Sequence, residues 1–290
     1  MGETMRFETP STAKEAVTLL AKEKGTAYIL AGGTDLLVKM KAGIIEPDLV
    51  VDIKLIKGMT EIKKSATGFM IGAGVPCAAL SENAALVKAY PGVVEAANLI
   101  GSKQVQGRCT MSGNLCNASP AADSVPALIA AGAKVLISGP KGNRKLNVED
   151  VPAGVGRTNL KKGEFITAIS LPPKAAKSGD AYLRFTPRTE MDIAVVSVAI
   201  NLTLDGKGMI TKARVALGAV AATVLLVKEA AKAIIGTKLD DAAKAKLAAV
   251  CSAACKPIDD KRGTIEFRTD VAGVLARRAA ETAYARAGGK

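Results

Sequence analysis

The sequence predicts an α+β fold in which two α/β regions are followed by a third region built from a β-hairpin and helices. Three observations lead to this class. Short apolar runs alternate with helical segments between residues 14 and 137. A break rich in Pro, Lys and Ala lies at residues 172–179, and a β-rich run at 192–205 is then turned by Asp205-Gly206-Lys207-Gly208 into a second such run. Alternating strands and helices indicate α/β units, and a Gly-containing turn between two β-rich runs indicates a hairpin.

The first region, residues 1–57, is predicted to contain two helices and two strands. Thr12 and Glu15 form a capping box in front of an amphipathic helix that begins at residue 14. The apolar run at 27–30 is predicted to be a buried strand, and it leads directly into Gly32 and Gly33. A second helix is expected at 36–40 and a second strand at 49–53.

The second region, residues 58–176, and the third, residues 177–290, are separated by the break at 172–179. Strands are predicted at 69–72 and 134–138, and helices at 93–100 and 123–131. Residues 107–120 are small and polar and are predicted to form a loop. In the third region, hairpin strands are expected within 192–205 and 209–220, followed by Ala-rich helices that end in a helix at 271–287.

The composition excludes several classes of function. The chain has no His, so it has no Ser-His-Asp or Cys-His mechanism and no His-based metal site. Its 290 residues carry a formal charge of +13, but the basic residues are spread between acids and few aromatic residues are available for base stacking. A solvated basic surface is therefore favoured over a nucleic-acid site. A basic patch that faces an acidic partner subunit would fit the same charge.

Location and metal content follow from further absences in the sequence. The first six residues contain no apolar segment typical of a signal peptide, and no stretch approaches the ~18 apolar residues of a membrane span. Five cysteines fit reduced thiols, and the sequence therefore predicts a cytoplasmic protein. Cys251 and Cys255 share a face of a predicted helix, but they are too few to hold a structural zinc or a cluster, so no metal is expected.

Two loops of small residues could hold an anionic ligand. The first loop, residues 31–35, follows a predicted strand, and the second loop spans residues 112–123. Glycine lets the backbone come close to a diphosphate, and amides at the start of a helix favour an anion. Each loop alone is weak evidence, because a structural turn explains an isolated Gly-Gly pair better than a ligand site does. The sequence lacks a G-x-G-x-x-G motif after a strand and a P-loop, which disfavours a Rossmann dehydrogenase and a P-loop NTPase. Together, the two loops favour a nucleotide-diphosphate cofactor.

Four ordered motifs resemble those of the flavoprotein subunit of molybdenum hydroxylases, the xanthine dehydrogenase and carbon monoxide dehydrogenase family. The two loops resemble its two FAD-binding signatures, and further likeness lies at residues 182–194 and 257–268. The motifs are Ala31-Gly32-Gly33-Thr34-Asp35-Leu36, Gly113-Asn114-Leu115-Cys116-Asn117-Ala118-Ser119-Pro120-Ala121-Ala122-Asp123, Tyr182-Leu183-Arg184-Phe185 with Arg188 and Asp192-Ile193-Ala194, and Pro257-Ile258-Asp259-Asp260-Lys261-Arg262-Gly263 with Phe267-Arg268.

The resemblance implies a two-subdomain FAD-binding domain of the vanillyl-alcohol-oxidase type, followed by a smaller α+β C-terminal domain. It also implies which residues bind FAD. Main-chain amides of the first loop would surround the diphosphate, the second loop would continue that cradle, Asp123 would bond the ribose or adenosine side, and Arg184 would lie near the flavin. The implied cofactor-binding residues are Ile29, Leu30, Ala31, Gly32, Gly33, Thr34, Asp35, Leu36, Ile100, Thr110, Ser112, Gly113, Asn114, Asp123, Ile169 and Arg184.

The function implied by the resemblance is electron transfer within a larger enzyme. A molybdopterin-binding large subunit would oxidise the substrate, a small subunit with [2Fe-2S] clusters would pass electrons to FAD on this chain, and NAD is a possible acceptor. No side chain of this chain would act as acid or base, since the cofactor performs the redox chemistry. Two alternatives stay open: a stand-alone FAD-dependent oxidoreductase of the same fold, and a basic nucleic-acid-binding protein without cofactor.

The sequence departs from the family pattern at three places. Ser112 stands where a second glycine beside Gly113 is expected, the segment at 222–224 lacks an expected proline, and Phe267 replaces a usual tyrosine. The four-cysteine insert typical of the aromatic-CoA reductase flavoproteins is absent from the sequence, so an additional iron-sulfur cluster is not expected in this subunit.

Overall fold

A computed structural model describes residues 5–289 of the chain. The expectation that the N-terminal segment is not a signal peptide concerns residues 1–6, of which residues 1–4 lie outside the described part. Among residues 5–289, none of the helices combines the length and the apolar character that a membrane span requires.

The helices and strands follow in chain order. The helices are α1 Ala13–Lys22, α2 Leu36–Lys41, α3 Cys77–Glu82, α4 Ala84–Ala89, α5 Pro91–Ala97, α6 Lys103–Gln106, α7 Met111–Cys116, α8 Ser124–Ala130, α9 Lys228–Ile234, α10 Asp241–Ala254 and α11 Ile265–Arg286, with a 3-10 turn at Val148–Asp150. The strands are β1 Arg6–Glu8, β2 Ala27–Leu30, β3 Leu49–Asp52, β4 Ile62–Ser65, β5 Gly68–Gly72, β6 Lys134–Gly139, β7 Gly142–Asn147, β8 Pro152–Gly154, β9 Arg157–Thr158, β10 Phe165–Leu171, β11 Ser178–Phe185, β12 Val196–Leu204, β13 Ile210–Gly218 and β14 Leu225–Leu226.

The first region folds around a three-stranded parallel sheet in the order β1-β3-β2. The predicted capping box is confirmed: Thr12 Oγ1 accepts from the Glu15 amide at 3.2 Å, and Glu15 Oε2 accepts from the Thr12 amide at 3.2 Å. The strands predicted at 27–30 and 49–53 and the helix predicted at 36–40 are confirmed as β2, β3 and α2. Since the strands are parallel, the two glycines after β2 lie at the carboxyl edge of this sheet.

The second region contains a five-stranded antiparallel sheet in the order β4-β5-β10-β6-β7. Helices α3 to α8 connect β5 to β6, and the apolar core between them is continuous with that of the first region. The predicted strands at 69–72 and 134–138 and the helices near 93–100 and 123–131 are confirmed, although α5 ends at Ala97. The loop predicted at 107–120 is wrong in part, because α7 forms there. Its buried Met111 and Leu115 anchor it to the core, while the small polar residues between them hide that periodicity.

The third region is a four-stranded antiparallel sheet, β11-β12-β13-β14, with helices on both faces. The predicted hairpin is confirmed, with Ala199 opposite Ala216 in the β12 and β13 register. On one face α9 and α11 contact the sheet and enclose a second apolar core, and on the other α5 and α8 contact it. Because both faces of the sheet are covered, seven of the nine residues of β12 are buried. The last helix begins at Ile265, six residues before the predicted start.

Contacts between the second and third regions include two ion pairs. Arg286 of α11 pairs with Glu95 of α5 and donates to the Asp180 carbonyl at 2.8 Å. Arg214 on β13 pairs with Glu149 at 2.8 Å. The division of the chain into 1–57, 58–176 and 177–290 stays a prediction.

The Asp192 carboxylate is expected to make the stability of the third region depend on pH in the acid range. Hydrogen bonds from the Arg188 side chain, and from the Ile193 amide at 2.8 Å, lower the pKa of Asp192 to about 2 from 3.8. A carboxyl whose pKa is lower in the folded state stabilises the fold above its unfolded pKa. This contribution should therefore be complete above about pH 4 to 5 and should be lost as the pH falls towards 2.

The measurement is the difference in melting temperature between the wild type and Asp192→Asn across this pH range. Asp270→Asn is the control, since Asp270 is exposed on α11 and takes part in no side-chain hydrogen bond or ion pair within residues 5–289. A wild-type advantage over Asp192→Asn that stays constant between pH 6 and pH 2 would contradict the assigned titration.

Candidate functional site

A cleft with a volume of about 530 Å³ lies where the loop after β2 meets α7. Both small-residue loops line it, and the segment from Gly156 to Ile166 contributes a further wall. The lining residues are Ala27, Tyr28, Ile29, Ala31, Gly32, Gly33, Thr34, Asp35, Leu36, Lys39, Ile44, Ile45, Ile53, Ala73, Ile100, Cys109, Thr110, Ser112, Gly113, Asn114, Cys116, Asn117, Gly156, Thr158, Leu160, Glu164, Phe165 and Ile166.

Five consecutive backbone amides line the cleft without a protein partner. Within residues 5–289, no N–H group from Gly32 to Leu36 donates a hydrogen bond to another protein group. The first such donor after them is the Leu37 amide, which bonds the Gly33 carbonyl at 3.0 Å. Unpaired N–H groups at the start of a helix attract anions, since each can donate and all carry partial positive charge. This edge of the cleft is therefore suited to a phosphate-bearing ligand.

The two loops touch each other at Gly32. A Cβ atom at Gly32 would lie 2.1 Å from the Arg108 carbonyl oxygen and 2.8 Å from Cys109 Cα, so the approach requires glycine. Gly33 has a φ of +81°, which L side chains rarely adopt, and Leu30 Cδ1 packs beneath it. The glycine pair thus serves both the contact between loops and the turn that presents the amides.

The second loop is held by side chains at the start of α7. Thr110 Oγ1 accepts from the Gly113 amide at 3.0 Å, and the Ser112 hydroxyl donates to the Ala73 carbonyl. Ser112 therefore occupies the expected glycine position with its hydroxyl satisfied by the backbone. Asn114 Oδ1 accepts from the Ser124 amide at 3.1 Å and from its hydroxyl at 2.7 Å. Within the described chain the Asn114 NH2 group has no protein partner, and it can donate to a ligand.

Thr110→Val should remove the cap of α7 and weaken ligand binding in the cleft. The substitution is similar in volume and deletes the hydroxyl that accepts from Gly113. Loss of an N-cap costs about 1 kcal/mol of stability. Thr264→Val is the matched control, because Thr264 caps α11 at the Phe267 amide, 3.1 Å away, and does not line the cleft.

Urea unfolding and the flavin-to-protein ratio measure the two effects separately. Both variants should lose similar stability, whereas only Thr110→Val should lose bound flavin. Equal flavin loss in the two variants would show that destabilisation alone explains the effect.

The structure brings twelve of the sixteen predicted site residues to the cleft and leaves four outside its lining. Leu30 lies beneath Gly33, and Ile169 is buried between neighbouring strands of the second sheet. Asp123 and Arg184 pair with each other in the interior. Ligand contacts of all sixteen residues stay predictions. The residues brought together are Ile29, Ala31, Gly32, Gly33, Thr34, Asp35, Leu36, Ile100, Thr110, Ser112, Gly113 and Asn114.

Asp123 and Arg184 form a buried ion pair between the second and third regions. Asp123 Oδ2 accepts from Arg184 Nη1 at 2.8 Å, and Oδ1 accepts from the Tyr182 hydroxyl at 2.9 Å. The two charged side chains are 11% and 5% exposed. Burial raises the pKa of Asp123, and the Arg184 charge opposes that rise. The pair thus joins the start of α8 to β11.

Sequence reasoning missed part of the cleft. Tyr28 and Lys39 are neighbours of the first loop, and Asn117 belongs to the second loop but was not assigned to the site. The wall from Gly156 to Ile166 comes from a distant segment that β10 brings back to the sheet, and no local motif marks it. Asn117 could have been found as an additional amide donor in the second loop.

The five cysteines differ in burial: Cys77, Cys109 and Cys251 are buried, whereas Cys116 and Cys255 are partly exposed. Burial raises the pKa of Cys116 and that of Cys251, each to about 12. All five thiols are free, and within residues 5–289 no group of three or more His, Cys, Asp or Glu could hold a metal ion.

Comparison with known proteins matches both parts of the chain. The family described as "FAD binding domain in molybdopterin dehydrogenase" matches residues 3–174, and the "CO dehydrogenase flavoprotein C-terminal domain" matches residues 181–283. The chain is 35% identical to a carbon monoxide dehydrogenase medium chain of Afipia carboxidovorans, with 97% of each chain covered. It is 27% identical to a xanthine dehydrogenase FAD-binding subunit of Escherichia coli O157:H7, over 98% of this chain and 97% of that one.

The fold also matches solved structures along nearly its entire length. A chain in the structure of reconstituted CO dehydrogenase from Oligotropha carboxidovorans superposes with a TM-score of 0.93, at 34% identity and 99% coverage of both chains. The predicted arrangement of an FAD-binding domain followed by a C-terminal flavoprotein domain is confirmed. The chain therefore belongs to the family of FAD-binding flavoprotein subunits of molybdopterin-dependent dehydrogenases.

Proposed function

We propose that this chain is the electron-transfer flavoprotein of a molybdenum hydroxylase complex. Substrate oxidation takes place at a molybdopterin-binding large subunit, a small subunit with [2Fe-2S] clusters delivers the electrons, and NAD is the acceptor. The observation that carries the proposal is the row of five unpartnered amides from Gly32 to Leu36 on the cleft. Relatives named as a medium chain and an FAD-binding subunit of dehydrogenases support a role within an assembly.

The residues of the cleft fit FAD chemically. The free amides and the Asn114 NH2 group can donate hydrogen bonds to a diphosphate. Successive backbone N–H groups commonly bind anions in this way. Ile29, Ile100 and Ile166 supply apolar surface for the ring systems. When bound, FAD supplies both one-electron and two-electron redox chemistry.

The work of the chain itself is to bind and orient. Contact between Gly32 and the Arg108 backbone sets the distance between the two loops, and the Thr110 cap sets the start of α7. Glu164 on the cleft wall is paired with Arg144 at 2.7 Å, so its charge is compensated. None of the lining residues is required as an acid or a base, in accord with a site that positions a redox cofactor.

Purification from the native host tests this function. The absorption spectrum, the released cofactor, the iron and molybdenum contents and the co-purifying chains should show FAD together with two partner chains that carry the metals. Addition of the complex's substrate should bleach the flavin band, and NAD should restore it. FAD without partners or metals after gentle purification would instead establish a stand-alone flavoenzyme.

A further inference from the structure

Lys39 places a positive charge on the cleft beside the free amides. It lies on α2, and its backbone amide donates to the Asp35 carbonyl at 3.0 Å. Its ammonium Nζ donates to Asn117 Oδ1 at 2.6 Å, and Asn117 Nδ2 lies 3.4 Å from Asp35 Oδ1. This chain of contacts joins the first loop to the second. The ammonium group is therefore held in place across the cleft rather than extended into solvent.

Within residues 5–289, no carboxylate contacts the Lys39 ammonium directly, and that of Asp35 is joined to it only through Asn117. The direct partner of Lys39 is a neutral amide oxygen, which accepts a hydrogen bond from one of the three N–H groups of the ammonium. The other two N–H groups can donate to a ligand. Lys54 differs, because its Nζ lies 2.7 Å from Asp52 Oδ1 and is neutralised there. Glu164 on the opposite wall is likewise neutralised by Arg144.

We propose that Lys39 is the cation that binds the FAD diphosphate and that Asn117 positions it. The assignment rests on the proposed location of the diphosphate at the amides of residues 32–36. The unpartnered amides of residues 32–36 and the ammonium group of Lys39, on the short helix that follows them, present complementary donors to a doubly charged anion. Among the lining residues Lys39 is the one that carries positive charge, so it supplies the charge-assisted part of binding.

The test is a titration of the full chain, freed of flavin, with FAD, ADP and riboflavin. Lys39→Gln keeps a hydrogen-bond donor and removes the charge, Lys39→Arg keeps the charge, and Lys41→Gln is the control at an exposed position of the same helix. We expect Lys39→Gln to weaken FAD and ADP binding about tenfold at low salt. Riboflavin has no phosphate, and its affinity should change less than about twofold.

The salt dependence of FAD binding and the variant Lys39→Arg test whether the charge of Lys39 is responsible. The difference between the wild type and Lys39→Gln should shrink at high salt, because mobile ions screen an interaction between partly exposed charges. Lys39→Arg should recover most of the affinity, and Lys41→Gln should bind like the wild type.

Each failure has a distinct meaning. If the wild type binds FAD and Lys39→Gln binds it equally well, the role of Lys39 is wrong while the proposed site stands. Riboflavin weakened as much as FAD would overturn the role as well, since Lys39 would then act on the shape of the cleft. If the wild type takes up neither FAD nor ADP, both the proposed site and the role of Lys39 fail.

Discussion

Gly32→Ala is expected to abolish stable FAD binding. The added Cβ would lie 2.1 Å from the Arg108 carbonyl oxygen, a distance too short for two atoms that are not bonded to each other. Because this oxygen belongs to the backbone, it cannot move away by a side-chain rotation. The first loop and the segment before α7 must therefore separate. This separation moves the five amides of residues 32–36 away from the second loop. The affinity for FAD should fall at least about tenfold, which corresponds to about 1.4 kcal/mol of binding free energy.

Gly206→Ala is the matched control for this substitution. Gly206 lies in the turn between β12 and β13, and no heavy atom lies within 4 Å of its virtual Cβ. Flavin absorbance relative to protein, measured after identical purification, should stay at the wild-type ratio in the control. A Gly32→Ala protein that retains half of the wild-type flavin or more would contradict the proposed contact between the loops.

Asp123→Asn is expected to cause the largest loss of global stability, about 3 kcal/mol. The substitution keeps the size of the side chain but leaves the Arg184 guanidinium, 5% exposed, without a counter-charge. Removal of one partner leaves the other charge buried, unpaired and poorly solvated. The resulting loss of folding free energy is larger than the net contribution of the intact pair to stability. Because the pair joins α8 to β11, the third region should separate from the second more readily.

Urea unfolding of three variants tests this explanation. Tyr182→Phe removes only the hydroxyl that donates to Asp123 and should cost about 1 kcal/mol. Asp123→Asn combined with Arg184→Met removes both charges and should be more stable than Asp123→Asn alone. A double variant no better than the single one would show that the stranded charge is not the cause.

Much of the fold was predictable from local sequence. The Thr12 capping box, the apolar run of β2 and the turn after Asp205 each depend on residues within a few positions of one another, and all three are confirmed. The loop expected at 107–120 was wrong in part because α7 is too short and too polar for periodicity to reveal. Its formation depends on Thr110 as a cap and on burial of Met111 and Leu115 against distant elements.

The sequence by itself determined many of the elements, the two small-residue loops and, through its motifs, the family to which the chain belongs. These features are local, since glycine pairs, caps and apolar runs act over a few residues. Only the tertiary structure decided that Gly32 contacts Arg108, that Lys39 reaches Asn117, and that Asp123 turns inward to Arg184. The residues of the last two contacts lie 78 and 61 positions apart in the chain, and the first contact depends on the close approach of two backbone segments. Tertiary packing rather than local propensity brings these residues together.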